Sequence, residues 1–256
     1  MFKKISYSLF LLLIFMTGCS QHDSTDPSLF QLYLVNPMEN FIYFLAEVDG
    51  GSFGVAIILI TIIIRLVLMP LMLKQYKSQQ LMKVKMANLK PEMDSIQEKL
   101  KNTKDAKEQK VLQLEMMNLY RKHNVNPLSM GCLPLIIQMP ILMALYYAIS
   151  HSTEIATHSF LWFNLGQPDV FITLIAGLIY YLQFKVSQIN LSMEQQKQMR
   201  IMGMLSPIMI MVFSFTAPAA LPLYWCVGGL FLICQTLLGQ RLYKQEESTL
   251  NNAQLD

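Results

Sequence analysis

An arginine stands inside an apolar run: Phe53-Gly-Val-Ala-Ile-Ile-Leu-Ile-Thr-Ile-Ile-Ile-Arg65-Leu-Val-Leu-Met. A guanidinium is permanently charged and carries five N–H donors, so it binds carboxylates and other anions and does no covalent chemistry. Lys74 closes the run nine residues later, which puts Arg65 about 13 Å inward at 1.5 Å per residue. An arginine at such a depth costs about 2.5–3.5 kcal/mol to place in a bilayer. The 14 Ile, Leu, Val and Phe residues of Ser52–Leu73 return roughly 4–8 kcal/mol at about 0.3–0.6 each. The helix therefore inserts, and a retained cost of this kind marks function.

No Asp or Glu stands in any apolar segment to neutralise Arg65; Asp169 and Glu194 fall outside them. The polar residues in or near these segments are Gln138, Gln183, Gln188, Gln235, Thr61, Thr173, Ser206 and Ser214. A buried cation without a counter-ion needs water or neutral acceptors. Two arrangements meet that need: a water-filled pocket open toward the cytoplasm, or a side chain snorkelling to the inner headgroups. Pro70, Pro134, Pro140 and Pro207 interrupt the segments, and two of the segments are short. Both features favour the hydrated, off-centre groove.

The elements that must position Arg65 follow from composition. The chain has 256 residues, 53% hydrophobic and 14% charged, against about 25% charged in an ordinary soluble domain. This excludes a disordered tail, a basic nucleic-acid-binding domain and most soluble enzymes. Spans are predicted over 52–73, 128–150, 170–188, 201–217 and 219–238, an all-α polytopic membrane protein of five helices. Pro218 and Pro222 bracket a tight turn before the last. Lys and Arg number none over residues 20–51, twelve over 74–127, none over 151–169 and three over 185–200. By the positive-inside rule, 19–51 and 151–169 are extracellular, while 74–127, 189–200 and the tail 239–256 are cytoplasmic.

Within 74–127, Met82, Met86, Leu89, Met93, Ile96 and Leu100 repeat at alternating steps of four and three, and Leu112, Met116 and Leu119 continue the stripe. Two such stripes joined at Lys101–Ala106 predict an antiparallel helical hairpin, with Pro91 kinking or restarting its first helix. A Lys- and Met-rich hairpin beside a membrane also suits contact with lipid headgroups, a ribosome or nascent chains.

The start is a processing signal. Lys3 and Lys4 precede an apolar run ending at Met16-Thr-Gly-Cys19, too short for a comfortable span. It resembles a bacterial lipoprotein signal covering 1–18, which implies a covalent lipid on Cys19: diacylglycerol, with N-acylation as a further step. Met16 stands where such signals usually carry Leu. Cys132, Cys226 and Cys234 have no CxxC pairing and read as small buried hydrophobes, with no metal or other cofactor.

Rival activities lack their residues. The spans hold no carboxylate or histidine for proton-coupled transport. There is no Ser–His, paired-Asp or HExxH arrangement for proteolysis, and no GxxxxGK[ST] loop for a nucleotide. An anion channel and a structural lipoprotein scaffold remain; the scaffold leaves Arg65 unexplained.

Ile64-Arg65-Leu66 before Met69-Pro70-Leu71, then a charged hairpin, are followed by Asn126-Pro127-Leu128, Gly131-Cys132-Leu133-Pro134 and Gln138-Met-Pro140. Leu161-Trp-Phe-Asn-Leu165 and Pro222-Leu-Tyr-Trp225 come later. In this order the chain resembles the YidC/Oxa/Alb membrane-protein insertase family over about residues 36–240, in its Gram-positive lipoprotein form. The resemblance implies no enzymatic activity. It implies an insertase and chaperone that integrates nascent membrane proteins into the bacterial plasma membrane, independently of or alongside the Sec translocon. Arg65 would attract acidic, hydrophilic substrate segments into a cytoplasm-open groove lined by Gln138, Gln183 and Trp225. The family's basic ribosome-binding tail is reduced here to Arg241 and Lys244, followed by Glu246 and Glu247.

Overall fold

The computed structural model describes residues 29–252 apart from 104, 124, 126–131 and 190–192. The signal-like start with Cys19, and the Asn126-Pro127-Leu128 and Gly131 positions, lie outside the described residues. Almost everything described is helical. A π-helical turn, Gln31–Val35, leads into α1 (Asn36–Val48). Then come α2 (Phe53–Asn102), α3 (Ala106–Lys122), α4 (Cys132–His151), α5 (Thr153–Thr157), α6 (Val170–Ser187), α7 (Met193–Ser214) and α8 (Ala220–Asn252). Between α5 and α6, β1 (Ser159–Phe160) and β2 (Phe163–Asn164) form an antiparallel hairpin pairing Ser159 with Asn164 and Phe160 with Phe163.

Local chemistry sets the helix starts. Ser52 Oγ accepts from Val55 N, Asp105 Oδ1 from Lys107 N, Ser152 Oγ from Ile155 N and Asp169 Oδ1 from Ile172 N. Each satisfies an N–H that a first helical turn leaves orphaned. Gly50 and Gly51, at φ of 79° and 100°, turn the chain from α1 into α2 in a conformation that only glycine adopts without strain.

Three helices are long and apolar enough to cross a bilayer: Phe53–Met82, Val170–Ser187 and Ala220–Tyr243. Two more of the five expected stretches appear as shorter apolar helices, Ile136–His151 and Gly203–Ser214. The most extensive packing joins α2 to α8, α6 to α8 and α6 to α7. Helix α2 is 50 residues long and continues through Pro70 and Pro91, so the chain does not restart at Pro91. Each proline costs the helix one backbone N–H donor, and the rest of the ladder holds.

Two apolar cores result. The larger draws on α1, the first turns of α2, the end of α4, α5, the β-hairpin, α6 and the first turns of α8. The smaller joins the second half of α2 to α3 through Leu89, Ile96, Leu112, Leu119 and Val125, with Met82, Met86, Met93, Leu100, Met116 and Tyr120 against it.

The sequence reading places residues 19–51 outside the membrane and assigns them no element. Yet Ile42 is fully buried, Leu45 and Ala46 nearly so, and Val35 continues their face at helical spacing. Tyr43 Oη and Ser152 Oγ share a hydrogen bond of 2.8 Å between α1 and the cap of α5. The Phe53 ring meets Tyr43 and His158 edge-on at 5.2 and 5.3 Å. This clamp makes α1 part of the bundle, not a tether. Ile42→Ala is expected to destabilise the protein by about 2–4 kcal/mol, and Glu47→Ala, at an exposed position, by less than about 0.5 kcal/mol. Thermal unfolding of both variants in detergent checks this; equal effects would place α1 outside the cooperative fold.

Candidate functional site

Arg65 points into the bundle. Ile57, Thr61 and Arg65 lie one turn apart on α2, and Ile57 and Thr61 are fully buried. Thr61 Oγ1 donates to Ile57 O at 2.6 Å, so its hydroxyl turns back on its own helix. Ile63, Leu66 and Val67, on other faces, are exposed. Arg65 itself is half-buried, and its Nε is buried with no hydrogen-bond partner among the described residues.

Helix α8 makes room for the guanidinium. A Cβ on Gly228 would stand 2.8 Å from Arg65 Nη2 and 3.3 Å from Nε. Next to it, a Cβ on Gly229 would stand 2.7 Å from Ile179 Cγ2 and 3.1 Å from the Tyr180 ring. The glycine pair thus lets α8 approach α2 on one side and α6 on the other. One turn before Gly228, Tyr224 is almost wholly buried, and its hydroxyl accepts from Gln138 Nε2 at 2.8 Å across the bundle from α4. The Tyr180 ring stands beside Gly229, the neighbour in sequence of the glycine that faces Arg65. A polar layer results: Arg65, Tyr180, Tyr224 and Gln138, from four helices, with Gly228 as its spacer.

The four residues that the family resemblance implies for a groove have different surroundings. Arg65 and Gln138 belong to the layer, the latter through Tyr224. Gln183 is half-buried on α6, one turn beyond Ile179. Trp225 is 9% exposed and sits in the apolar core, on the α8 face it shares with Gly229. Sequence reasoning did not single out Tyr180, Gly228 or Gly229. A Gly-Gly pair inside an apolar helix is a signal of close approach, though not of what approaches. Cys226 is buried, with its thiol 3.8 Å from Ile172 O, and Cys234 is exposed. Among the described residues, no group of three His, Cys, Asp or Glu side chains could hold a metal.

The chemistry open to this layer is recognition of an anionic or strongly polar group. The cation has a buried donor with no partner among the described residues, and no apolar segment carries a carboxylate to occupy it. A charge-assisted hydrogen bond to an incoming acceptor is stronger here than in water.

The family model described as 60Kd inner membrane protein matches residues 44–247. A protein of Listeria monocytogenes named Membrane protein insertase YidC 2 is 55% identical over 232 residues, covering 90% of this chain and 84% of its own. Membrane protein insertase MisCB of Bacillus subtilis is 45% identical, covering 86% and 83%. Among solved structures, one titled "Active YidC insertase crystal structure with the first transmembrane domain resolved" is similar with a TM-score of 0.55 and 25% identity. It matches 86% of this chain, which spans about half (49%) of that structure's chain.

The two glycines make separable demands. Gly229→Ala pushes on the branched Ile179 and the Tyr180 ring and is expected to cost about 1–3 kcal/mol. Gly228→Ala meets the mobile end of Arg65 and is expected to cost less than half of that. Thermal unfolding in detergent measures both; a larger loss at Gly228 would show that the guanidinium is rigidly held. The matched span takes in Arg65, Gln138, Tyr180 and the glycine pair alike, and the chain belongs to the 60Kd inner membrane protein family.

Proposed function

We propose that this protein is a membrane protein insertase and chaperone of the bacterial plasma membrane, acting on nascent membrane proteins. The observation that carries the reading is Arg65: a cation on a buried helical face, with a buried donor unused and no acidic residue in the apolar segments around it. An acceptor that arrives and leaves, such as an acidic substrate segment, explains a charge held ready at this cost.

In this reading five helices span the membrane: the first part of α2, then α4, α6, α7 and most of α8. The α2–α3 pair, with its Lys-rich surface, lies in the cytoplasm beside the C-terminus, and the α1 and β-hairpin end lies outside. The alternation of Lys and Arg between segments supports this orientation. The apolar core at the α1 end supports a groove closed on that side and open to the cytoplasm at the level of Arg65. Cys19, at the close of the lipoprotein-like signal, carries a diacylglycerol anchor on the same outer side.

Moving a polar segment through about 30 Å of hydrocarbon is prohibitive. A hydrated groove reaching Arg65 shortens the dry path, and the guanidinium concentrates acidic segments at its end. The membrane potential, negative inside, then drives each acidic charge outward with about 2.3 kcal/mol per 100 mV. The apolar segment that follows partitions into lipid beside α6, whose Phe171, Leu174, Leu178 and Leu182 are exposed. Substrate partitioning and the potential supply the energy. Work beside the Sec translocon is compatible with this mechanism, and the Lys-rich α2–α3 pair offers a surface for ribosome contact.

The deciding test is insertion by the purified chain in liposomes, scored by protease protection of a single-span substrate with an acidic N-terminal segment. Arg65→Ala is expected to lower insertion about tenfold, the equivalent of about 1.4 kcal/mol of charge attraction, and to leave a neutral-segment substrate far less affected. Equal losses for both substrates would defeat the electrostatic role; no insertion by the native chain would defeat the proposed activity as an autonomous one. Access is checked separately. In a background without other cysteines, Arg65→Cys should react with a membrane-impermeant thiol reagent supplied on the cytoplasmic side. Failure to react there, with reaction in detergent, would rule out the hydrated groove.

A further inference from the structure

The β-hairpin before α6 divides its apolar residues between two environments. Phe163 is 4% exposed in the main core, and Phe160 lies against Gly54 at the start of α2, where any side chain would collide with its ring. These two rings fix the hairpin to the bundle. Between them, Leu161 is 72% and Trp162 54% exposed. Leu161 also holds φ at 54°, a left-handed conformation unfavourable for a bulky residue, and so maintains a turn that presents its own side chain outward.

Trp162 is exposed but not free to swing. Its Nε1–H donates to Asp169 Oδ1 at 3.3 Å, the same oxygen that caps α6 by accepting from Ile172 N at 2.9 Å. The indole's polar atom is therefore satisfied within the protein, its apolar faces are left outward, and its position is tied to the first turn of α6. Val170 and Phe171, at 56% and 68% exposure, extend the patch directly onto the exposed apolar face of α6, through Leu174 and Leu178. No Lys or Arg occurs in residues 151–169.

We propose that the hairpin tip, Leu161 and Trp162, is an interfacial anchor that inserts into the lipid headgroup and upper acyl layer and sets the depth of α6. The occupant is lipid because the patch is continuous with the face of α6 that meets lipid; this rests on the reading of α6 as a membrane span. Indole rings favour that boundary, since they offer an apolar body and one polar atom. A carboxylate that both caps the helix and holds the indole makes the anchor and the span one rigid unit.

The chain has two tryptophans, so Trp225→Phe leaves Trp162 as the sole tryptophan, excited selectively at the red edge where tyrosine does not absorb. The variant is reconstituted in phosphatidylcholine–phosphatidylglycerol vesicles whose acyl chains are brominated either near the headgroup or near the chain end, and aqueous iodide is the third quencher. Trp162 is expected to be quenched about twofold more by the shallow bromines than by the deep ones, and only weakly by iodide. Strong iodide quenching with none by bromolipid would put the tip in water. Silence toward all three would put it under protein, such as a second copy. Equal or stronger deep quenching would place it below the interface. Each of these three results overturns the proposal. A companion protein carries Trp162→Phe, Trp225→Phe and Leu178→Trp. Deep quenching of that probe with none at Trp162 refutes the anchor alone, whereas quenching of neither refutes the spanning reading of α6. Should Trp225→Phe fold poorly in detergent, the native protein minus Trp162→Phe gives the same difference signal.

Discussion

Placing one guanidinium on the inner face of an apolar helix governs the arrangement around it. Arg65 cannot be neutralised from within, because the apolar segments supply no carboxylate. It therefore needs space, polar neighbours and a path to an outside acceptor. Space comes from Gly228, where any Cβ would fall inside contact distance of the guanidinium. Polar groups on adjoining helices are Tyr180, whose ring stands beside Gly229, and Tyr224, one turn before Gly228, which Gln138 holds by a 2.8 Å hydrogen bond. The closeness of α8 to both α2 and α6 follows from the same glycine pair, so the most heavily packed helices meet where the charge sits.

This polar layer has a dry counterpart toward one end of the bundle. Ile42 of α1, Ile57 and Ile60 of α2, Leu145 and Ile149 of α4, Ile155 of α5 and Leu165 beyond β2 are all buried within a few per cent of completely. Polar links at its edge, such as Tyr43 to Ser152, have both partners in place, as burial demands. A buried apolar core toward one end, and an Arg65 Nε without a partner among the described residues, make the molecule asymmetric along its axis. Such asymmetry suits moving polar chain in one direction, and relatives of this family carry the name membrane protein insertase.

What composition and local spacing settle is local in origin. The cost of Arg65 is visible because its neighbours in sequence are all apolar, and the residues that make the α2–α3 cluster are visible because helical periodicity places them on one stripe. Capping residues such as Ser52 and Asp169 act on N–H groups three positions away, again within reach of sequence. The rest depends on contacts between distant segments. The amphipathic face of α1 has meaning only once α2 and α4 cover it. Trp225 is named only by the family resemblance, and its 9% exposure within the apolar core is visible only once α8 is packed. Gly228 and Gly229 are anonymous until a guanidinium and a tyrosine ring approach them from two other helices. The type and cost of each residue are properties of the chain; which buried donor stays unsatisfied, and which glycine clears its path, are decided only where helices far apart in sequence come into van der Waals contact.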